Sequence, residues 1–197
     1  MEVVNVNKGR LEAFTDAILA IIMTIMVLEL HTPEGFTLAA IQNELIPLLA
    51  YVISFVGITN LWATHHFIFE PMHKVSYGVF IVNMALLLWV SLVPITTAWV
   101  ATYPTKFIPQ LAYIVVIFGW AIFLLLLGHE AHRADEDYPT NIMAGREMSG
   151  MLVIMVIGAI ASFFLPYAAL TTGVIVIGMY LVIPHQNFVR HHKRKGN

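Results

Sequence analysis

Long apolar stretches are the feature of this chain that most constrains its fold. A membrane-spanning helix needs about 20 predominantly apolar residues, and six stretches of the sequence come close to that length. They lie at roughly 13–30, 45–68, 76–101, 107–128, 148–165 and 167–187. The chain is 59% hydrophobic and 11% charged, whereas about a quarter of the residues of a soluble domain are charged. The sequence therefore predicts an all-α integral membrane protein, with six transmembrane helices in a single domain over 1–197.

The last two stretches are separated only by Leu165-Pro166-Tyr167. Two alternatives follow: a tight helical hairpin, or one long kinked helix. Proline fits a turn, and about 40 apolar residues exceed any single span.

The distribution of charge orients the chain. If the N-terminus is cytoplasmic and six helices follow, nine of the ten Lys and Arg residues fall on one side, and only Lys106 lies outside. The nine are Lys8, Arg10, Lys74, Arg133, Arg146, Arg190, Lys193, Arg194 and Lys195. By the positive-inside rule we expect a protein of the cell membrane with both termini in the cytoplasm. Glu29, Glu34 and Glu44 make the outer surface acidic; they either concentrate cations there or are simply solvated loop charges.

Asp16 interrupts the first apolar stretch. Only 12 uncharged residues separate it from Glu29, which as a helix rise about 18 Å, whereas the hydrocarbon core is about 30 Å thick. Asp16 is therefore expected inside the membrane, where an acid is either a functional residue or a tie between helices. The same interruption argues against a cleavable signal peptide.

One face of the first span carries a ladder of branched apolar side chains. At 100° per residue, Ile21, Ile25 and Leu28 fall within about 60° of one another, and Thr24 borders them. Such a ladder faces lipid, packs against another helix or lines a pore. Asp16 lies roughly 140° from Ile21 on the same wheel, so it points toward neighbouring helices and leaves the ladder free.

Polar residues of three spans reach the depth of Asp16. Trp62, His65 and His66 lie near the end of the second span, and Asn83 lies seven residues past Ser76 in the third. Polar groups at this depth need hydrogen-bond partners, so the favoured interpretation is a structural network.

A metal site is the rival interpretation of the histidines. His65, His66 and His73 with Glu70 offer enough donor atoms for zinc, but adjacent histidines on a helix diverge by about 100° and rarely bind one ion together. His129-Glu130-Ala131-His132 is one residue short of the spacing of a zinc protease. We therefore predict no metal site. We also predict no cofactor, no enzymatic activity and no nucleic-acid partner.

Two motifs carry a family resemblance. Arg10-x-x-x-Phe14-Thr15-Asp16 in the first span and Trp62-x-x-His65-His66 at the end of the second resemble the prokaryotic branch of the transmembrane protein 175 family of potassium channels. The family motif has Ser where this chain has Thr15, which keeps the hydroxyl and adds a methyl group.

The resemblance implies a homotetramer with six helices per chain, in which the first helix of each subunit lines a central pore for potassium ions and no looped filter is used. It implies a constriction at Ile21, Ile25 and Leu28, with Thr24 as a possible hydroxyl ring. It also implies a network that holds the pore helix. That network comprises Arg10, Phe14, Thr15, Asp16, Trp62, His65, His66 and Asn83.

Three functions compete at this point. The first is a potassium-selective channel gated at a hydrophobic constriction. The second is a secondary or proton-coupled cation transporter that uses Asp16 and His65, although the chain shows no inverted repeat. The third is a metal-dependent intramembrane enzyme that uses the histidines.

Overall fold

The structure is a computed structural model that describes residues 7–135, Tyr138 and residues 145–178. All regular secondary structure in these residues is α-helical, which confirms the predicted all-α class. The helices are α1 (Lys8–Leu28), α2 (Leu38–Asn43), α3 (Leu45–Phe69), α4 (Tyr77–Val90), α5 (Val93–Thr102), α6 (Phe107–Ala134), α7 (Gly145–Ala161) and α8 (Ala168–Gly178).

Four segments of the described chain are long and apolar enough to cross a membrane. They are α1, α3, the pair α4 and α5 taken together, and α6. The apolar part of α7, Leu152–Ala161, and α8 are shorter. The predicted sixth span, 167–187, extends beyond residue 178 and so lies partly outside the described residues.

The predicted third span, 76–101, corresponds to one apolar segment, Tyr77–Thr102, that is divided into the two helices α4 and α5. The chain turns at residues 91 and 92 between α4 and α5. Pro94 lies in the first turn of α5. Because proline has no backbone N–H, it cannot donate to the carbonyl of Val90 four residues earlier, and its ring crowds that carbonyl. Proline at the start of a helix is well tolerated, so α5 restarts there.

Two helices extend further than the apolar stretches that predicted them. α1 begins at Lys8 instead of residue 13, where the side chain of Asn7 accepts a hydrogen bond from Gly9 N–H at 2.9 Å. α6 continues past residue 128 to Ala134. Hydropathy marks only the apolar part of a helix, whereas polar residues such as His132 and Arg133 can continue it, and basic groups in a last turn suit the helix dipole.

The last two helices form a hairpin, so the alternative of one kinked helix is wrong. α7 ends at Ala161, and α8 begins at Ala168 after a turn in which Tyr167 adopts a φ of 63°. A Cβ atom on Gly158 of α7 would lie 2.3 Å from the side-chain oxygen of Thr172 of α8. Glycine is therefore required for this close approach of the two helices.

The core forms around α6, which contacts α3, α4, α5 and α7. α1 lies against α3, α4 and α5 at the side of this bundle. Its buried residues, Leu11, Thr15, Leu19, Ile22 and Met26, recur every three or four positions, as expected for one face of a helix. α1 is thus anchored along one face, and the opposite face is left without a partner in the single chain.

Candidate functional site

The free face of α1 carries the apolar ladder. Ile21, Ile25 and Leu28 are among the exposed large hydrophobic residues of the chain, and Ile21 is 52% exposed. Thr24 is exposed beside them, and its hydroxyl donates to the carbonyl of Ile21 at 2.8 Å. The hydroxyl oxygen keeps its lone pairs, so Thr24 still offers an acceptor on this face.

A buried chain of hydrogen bonds holds the opposite side of α1. The side-chain Nδ2 of Asn83 in α4 donates to the hydroxyl of Thr15 at 2.9 Å. Asn83 Oδ1 lies 2.8 Å from Nε2 of His65 in α3. Because an amide oxygen only accepts hydrogen bonds, the proton of this tautomer of His65 is on Nε2. Thr15, Asn83 and His65 are all buried, so three helices meet at one polar string.

A second, more exposed contact joins α1 to α3 nearby. The indole Nε1 of Trp62 donates to the carboxylate of Asp16 at 2.8 Å. The ring of His66 stacks on Trp62, with ring centroids 6.2 Å apart and an interplanar angle of 17°. Trp62 is 44% exposed in the single chain. Asp16 therefore has one strong partner and remains open to the surroundings of α1 on its other side.

The structure does not bring every residue of the expected network together. Arg10 and Phe14 are both exposed, and the side chain of Arg10 makes no hydrogen bond or ion pair with any residue that the structure describes. His66 contacts the rings of Trp62 and Phe67. The polar residues thus fall into two groups: the string Thr15–Asn83–His65 and the contact of Asp16 with Trp62.

The histidines and acids do not converge on a metal-binding geometry within 7–135, 138 and 145–178. No group of three His, Asp or Glu side chains there is placed to hold an ion. His65 faces Asn83, and its ring stacks on Phe69 at a centroid distance of 4.2 Å.

Sequence reasoning missed a second buried polar cluster. The hydroxyl of Ser54 in α3 lies 2.8 Å from that of Thr97 in α5 and 2.9 Å from that of Tyr113 in α6. Nearby, the side-chain oxygen of Gln110 accepts from the backbone N–H of Ala169 at the start of α8. The available signal was that these polar residues interrupt otherwise apolar stretches, where each needs a partner.

Helices of this length and apolarity, tied by polar side chains inside the bundle, define an integral membrane protein. The family comparison makes this more specific. A family model described as "Endosomal/lysosomal potassium channel TMEM175" matches residues 10–94. A potassium channel of Chryseobacterium sp. (strain P1-3) is 36% identical over 179 residues, which are 89% of this chain and 93% of the relative. The chain belongs to the TMEM175 family of ion channels, which confirms the predicted resemblance.

A solved structure and an animal relative extend the comparison. The crystal structure of a lysosomal potassium-selective channel TMEM175 homolog from Chamaesiphon minutus superposes with a TM-score of 0.73 at 27% identity, covering 88% of this chain and 96% of that one. The endosomal/lysosomal proton channel TMEM175 of Rattus norvegicus is 33% identical over 103 residues, which are 50% of this chain but 21% of the rat protein. The relatives are thus channels whose names give two different ions.

Proposed function

We propose that this chain is a potassium-selective channel whose subunits assemble as a homotetramer around α1, with no looped filter. The observation that carries the proposal is the exposed ladder of Ile21, Ile25 and Leu28 on a helix whose other face is anchored in the bundle. The match of 89% of this chain to a bacterial relative named as a potassium channel supports the choice of ion.

Geometry supports a ring of subunits, and the number four comes from the family resemblance. One helix with one ladder cannot enclose a pore, whereas several copies arranged about a symmetry axis can. The free face of α1 is apolar, and exposed apolar surfaces commonly mark an interface. In this assembly each chain contributes six membrane spans, with both termini in the cytoplasm as the basic residues indicate.

The ladder supplies a gate. A narrow ring of isoleucine side chains excludes water, and an ion cannot cross a dry ring without losing its hydration shell. A small widening lets water in and opens the path. Potassium surrenders its water more readily than sodium, so a partly dehydrating constriction disfavours sodium, and Thr24 oxygens can replace some of the lost water.

The polar contacts of α1 set its position and are not themselves the ion path. Thr15 is buried on the anchored face, and Asp16 is bonded to Trp62 at the side of the ladder. No hydrogen bond joins Asp16 to His65 directly among the described contacts; each has its own partner. Since each residue is bonded to a partner of its own, this arrangement favours a channel over a carrier that passes protons directly between them.

The substitution Ile21→Asn tests the constriction. A polar amide at the narrowest ring keeps the pore wet, so we expect weaker discrimination between potassium and sodium. The measurement is the reversal potential in planar bilayers with potassium on one side and sodium on the other, which should move toward zero.

Val27→Asn is the matched control. Val27 is 45% exposed, close to the 52% of Ile21, but it lies about 120° from Ile21 around the helix. It should leave the reversal potential unchanged. Equal effects of the two substitutions, or no effect of Ile21→Asn, would remove Ile21 from the pore wall.

A further inference from the structure

The C-terminal end of α3 is held by side chains from two distant parts of the chain. The last carbonyl groups of a helix have no partner within it and must find one elsewhere. Here the carbonyl of His66 accepts from Glu70 N–H at 2.8 Å, and that of Phe69 accepts from Met72 N–H at 2.9 Å. The carbonyls of Ile68 and Glu70 are instead bound by side chains.

Tyr138 binds the carbonyl of Ile68. Its hydroxyl donates to the carbonyl of Ile68 at 2.9 Å across 70 positions of sequence, and the side chain is only 5% exposed within the main core. Its backbone N–H donates to the carbonyl of Asp135, just after α6, at 3.1 Å. Tyr138 thus has one hydrogen bond near the end of α6 and another to the end of α3.

Lys8 binds the carbonyl of Glu70. Its ammonium group donates to the carbonyl of Glu70 at 3.0 Å. A positive charge at the C-terminus of a helix also interacts favourably with the helix dipole. Because Lys8 is the first residue of α1, this contact ties the beginning of α1 to the end of α3.

We propose that Lys8 and Tyr138 are positioning residues for α1. The inference rests on the proposed function, in which α1 lines the pore. α1 meets α3 and α4 at Thr15 and Asp16, and it meets α3 again at Lys8. The contacts at Lys8 and those at Thr15 and Asp16 are about 11 Å apart along α1. Because they hold the helix at two heights, together they fix its tilt.

Lys8 is one of the polar ties that oppose a pivot of α1 about Thr15 and Asp16, so its loss makes such a pivot easier and shifts the ladder on the far side. Tyr138 holds the helix end to which Lys8 binds. It thereby couples its own position, four residues after the end of α6, to the position of α1.

Two substitutions test the proposal in single-channel recordings. Tyr138→Phe keeps the ring and removes the hydroxyl, and Lys8→Met removes the ammonium group. If each bond contributes to one conformation of α1 more than to another, the ratio of open to closed channels should change by about threefold to eighteenfold, the range of one interhelical hydrogen bond. The reversal potential should not change, and Lys8→Arg should restore the wild-type ratio.

Tyr103→Phe and Lys106→Met are the matched controls, since both residues are exposed and neither side chain makes a hydrogen bond, ion pair or ring contact with a described residue. A lower yield of channels with a wild-type open ratio would show a merely structural role and overturn the proposal.

Hydrogen exchange separates this inference from the proposed function. The amides of Glu70 and Met72 lie in the turn that the two side chains hold, and they should exchange faster in Tyr138→Phe than in Tyr103→Phe. Unchanged exchange would overturn the positioning role of Tyr138 even in a protein that conducts. Faster exchange in a protein that passes no ions would support that role and contradict the proposed function.

Discussion

Thr15 and Asp16 are adjacent in α1 but bind partners on different helices. Thr15 accepts from Asn83 of α4 in a buried string, and Asp16 accepts from Trp62 of α3 at a more exposed position. Neighbouring residues on a helix point about 100° apart, so one pair of residues attaches α1 to two helices at a single level.

Trp62→Phe tests the second of these attachments. The substitution keeps an aromatic ring and removes the N–H that donates to Asp16, so we expect the assembled protein to lose about 0.6 kcal/mol, and at most about 1.7 kcal/mol, of stability. Selectivity should not change, because Trp62 does not lie on the ladder. Detergent-induced dissociation of the oligomer, compared with reversal potentials, measures both.

Trp99→Phe is the control for that loss. Trp99 is 42% exposed against 44% for Trp62, and its indole has no partner among the described contacts. Equal losses from the two substitutions would mean that the bond to Asp16 contributes nothing. Altered selectivity in Trp62→Phe would place the contact in the ion path.

The hydroxyl of Tyr138 should lose its proton at a higher pH than an ordinary tyrosine. Burial raises the pKa of its hydroxyl to about 12, above the value of about 10 in an unfolded chain. Because the raised pKa favours the neutral form, its contribution to stability is complete below about pH 10 and is lost as the pH rises toward 12.

The absorbance of the phenolate, recorded as wild type minus Tyr138→Phe, isolates this group from the other tyrosines. The difference should appear only as the pH nears 12. A difference signal centred near pH 10 would contradict the burial of Tyr138 and its bond to α3.

Residue counting along the spans brings Asp16, Trp62, His65 and Asn83 to one depth, and the structure has them in contact within two groups. Which residue binds which could not be predicted, because depth is one coordinate and the pairing also depends on the rotation of each helix. The bond from Tyr138 to Ile68 had no signal at all: it joins a polar segment to a helix end across 70 positions.

At the scale of the helices, α4 and α6 approach each other closely at Gly119. A Cβ atom there would lie 2.1 Å from Nε1 of Trp89, the group that donates to the carbonyl of Val116 at 2.9 Å. Gly119→Ala should therefore push Trp89 off its acceptor and cost about 1–3 kcal/mol, as overpacking does. Thermal unfolding in detergent measures the loss.

Gly150→Ala in α7 is the control, since no atom of the described residues lies within 4 Å of its added Cβ. It should be neutral or stabilise by up to about 1 kcal/mol, because alanine loses less backbone entropy in a helix. A Gly119→Ala protein as stable as Gly150→Ala would contradict the close packing of α4 on α6.

Apolar length predicted the helices well where one helix equals one apolar stretch, as for α3, expected at 45–68 and found at Leu45–Phe69. It did not show where a backbone feature divides one span into two helices. Pro94 divides the third stretch although every residue around it is apolar or small. The end of α6 was missed for the opposite reason. The apolar stretch ends at residue 128, but polar and charged residues continue the helix to Ala134.

For the whole molecule, we propose that the exposed face of α1 meets copies of itself. The bundle buries the other face of α1 and leaves Ile21, Ile25 and Leu28 uncovered. A sequence alone cannot decide whether such a face meets lipid or a partner chain, because both environments are apolar. The family membership and the anchored geometry of α1 together favour the partner.

Passive potassium flux is the measurement that tests the proposed channel function most directly. Purified protein in liposomes, with a potassium gradient and no proton or sodium gradient, should pass potassium at a rate set by the membrane potential, and sodium more slowly in the mirrored experiment. Protein-free liposomes give the background. Potassium movement that requires a coupled gradient, or a flux of protons alone, would contradict the channel proposed here.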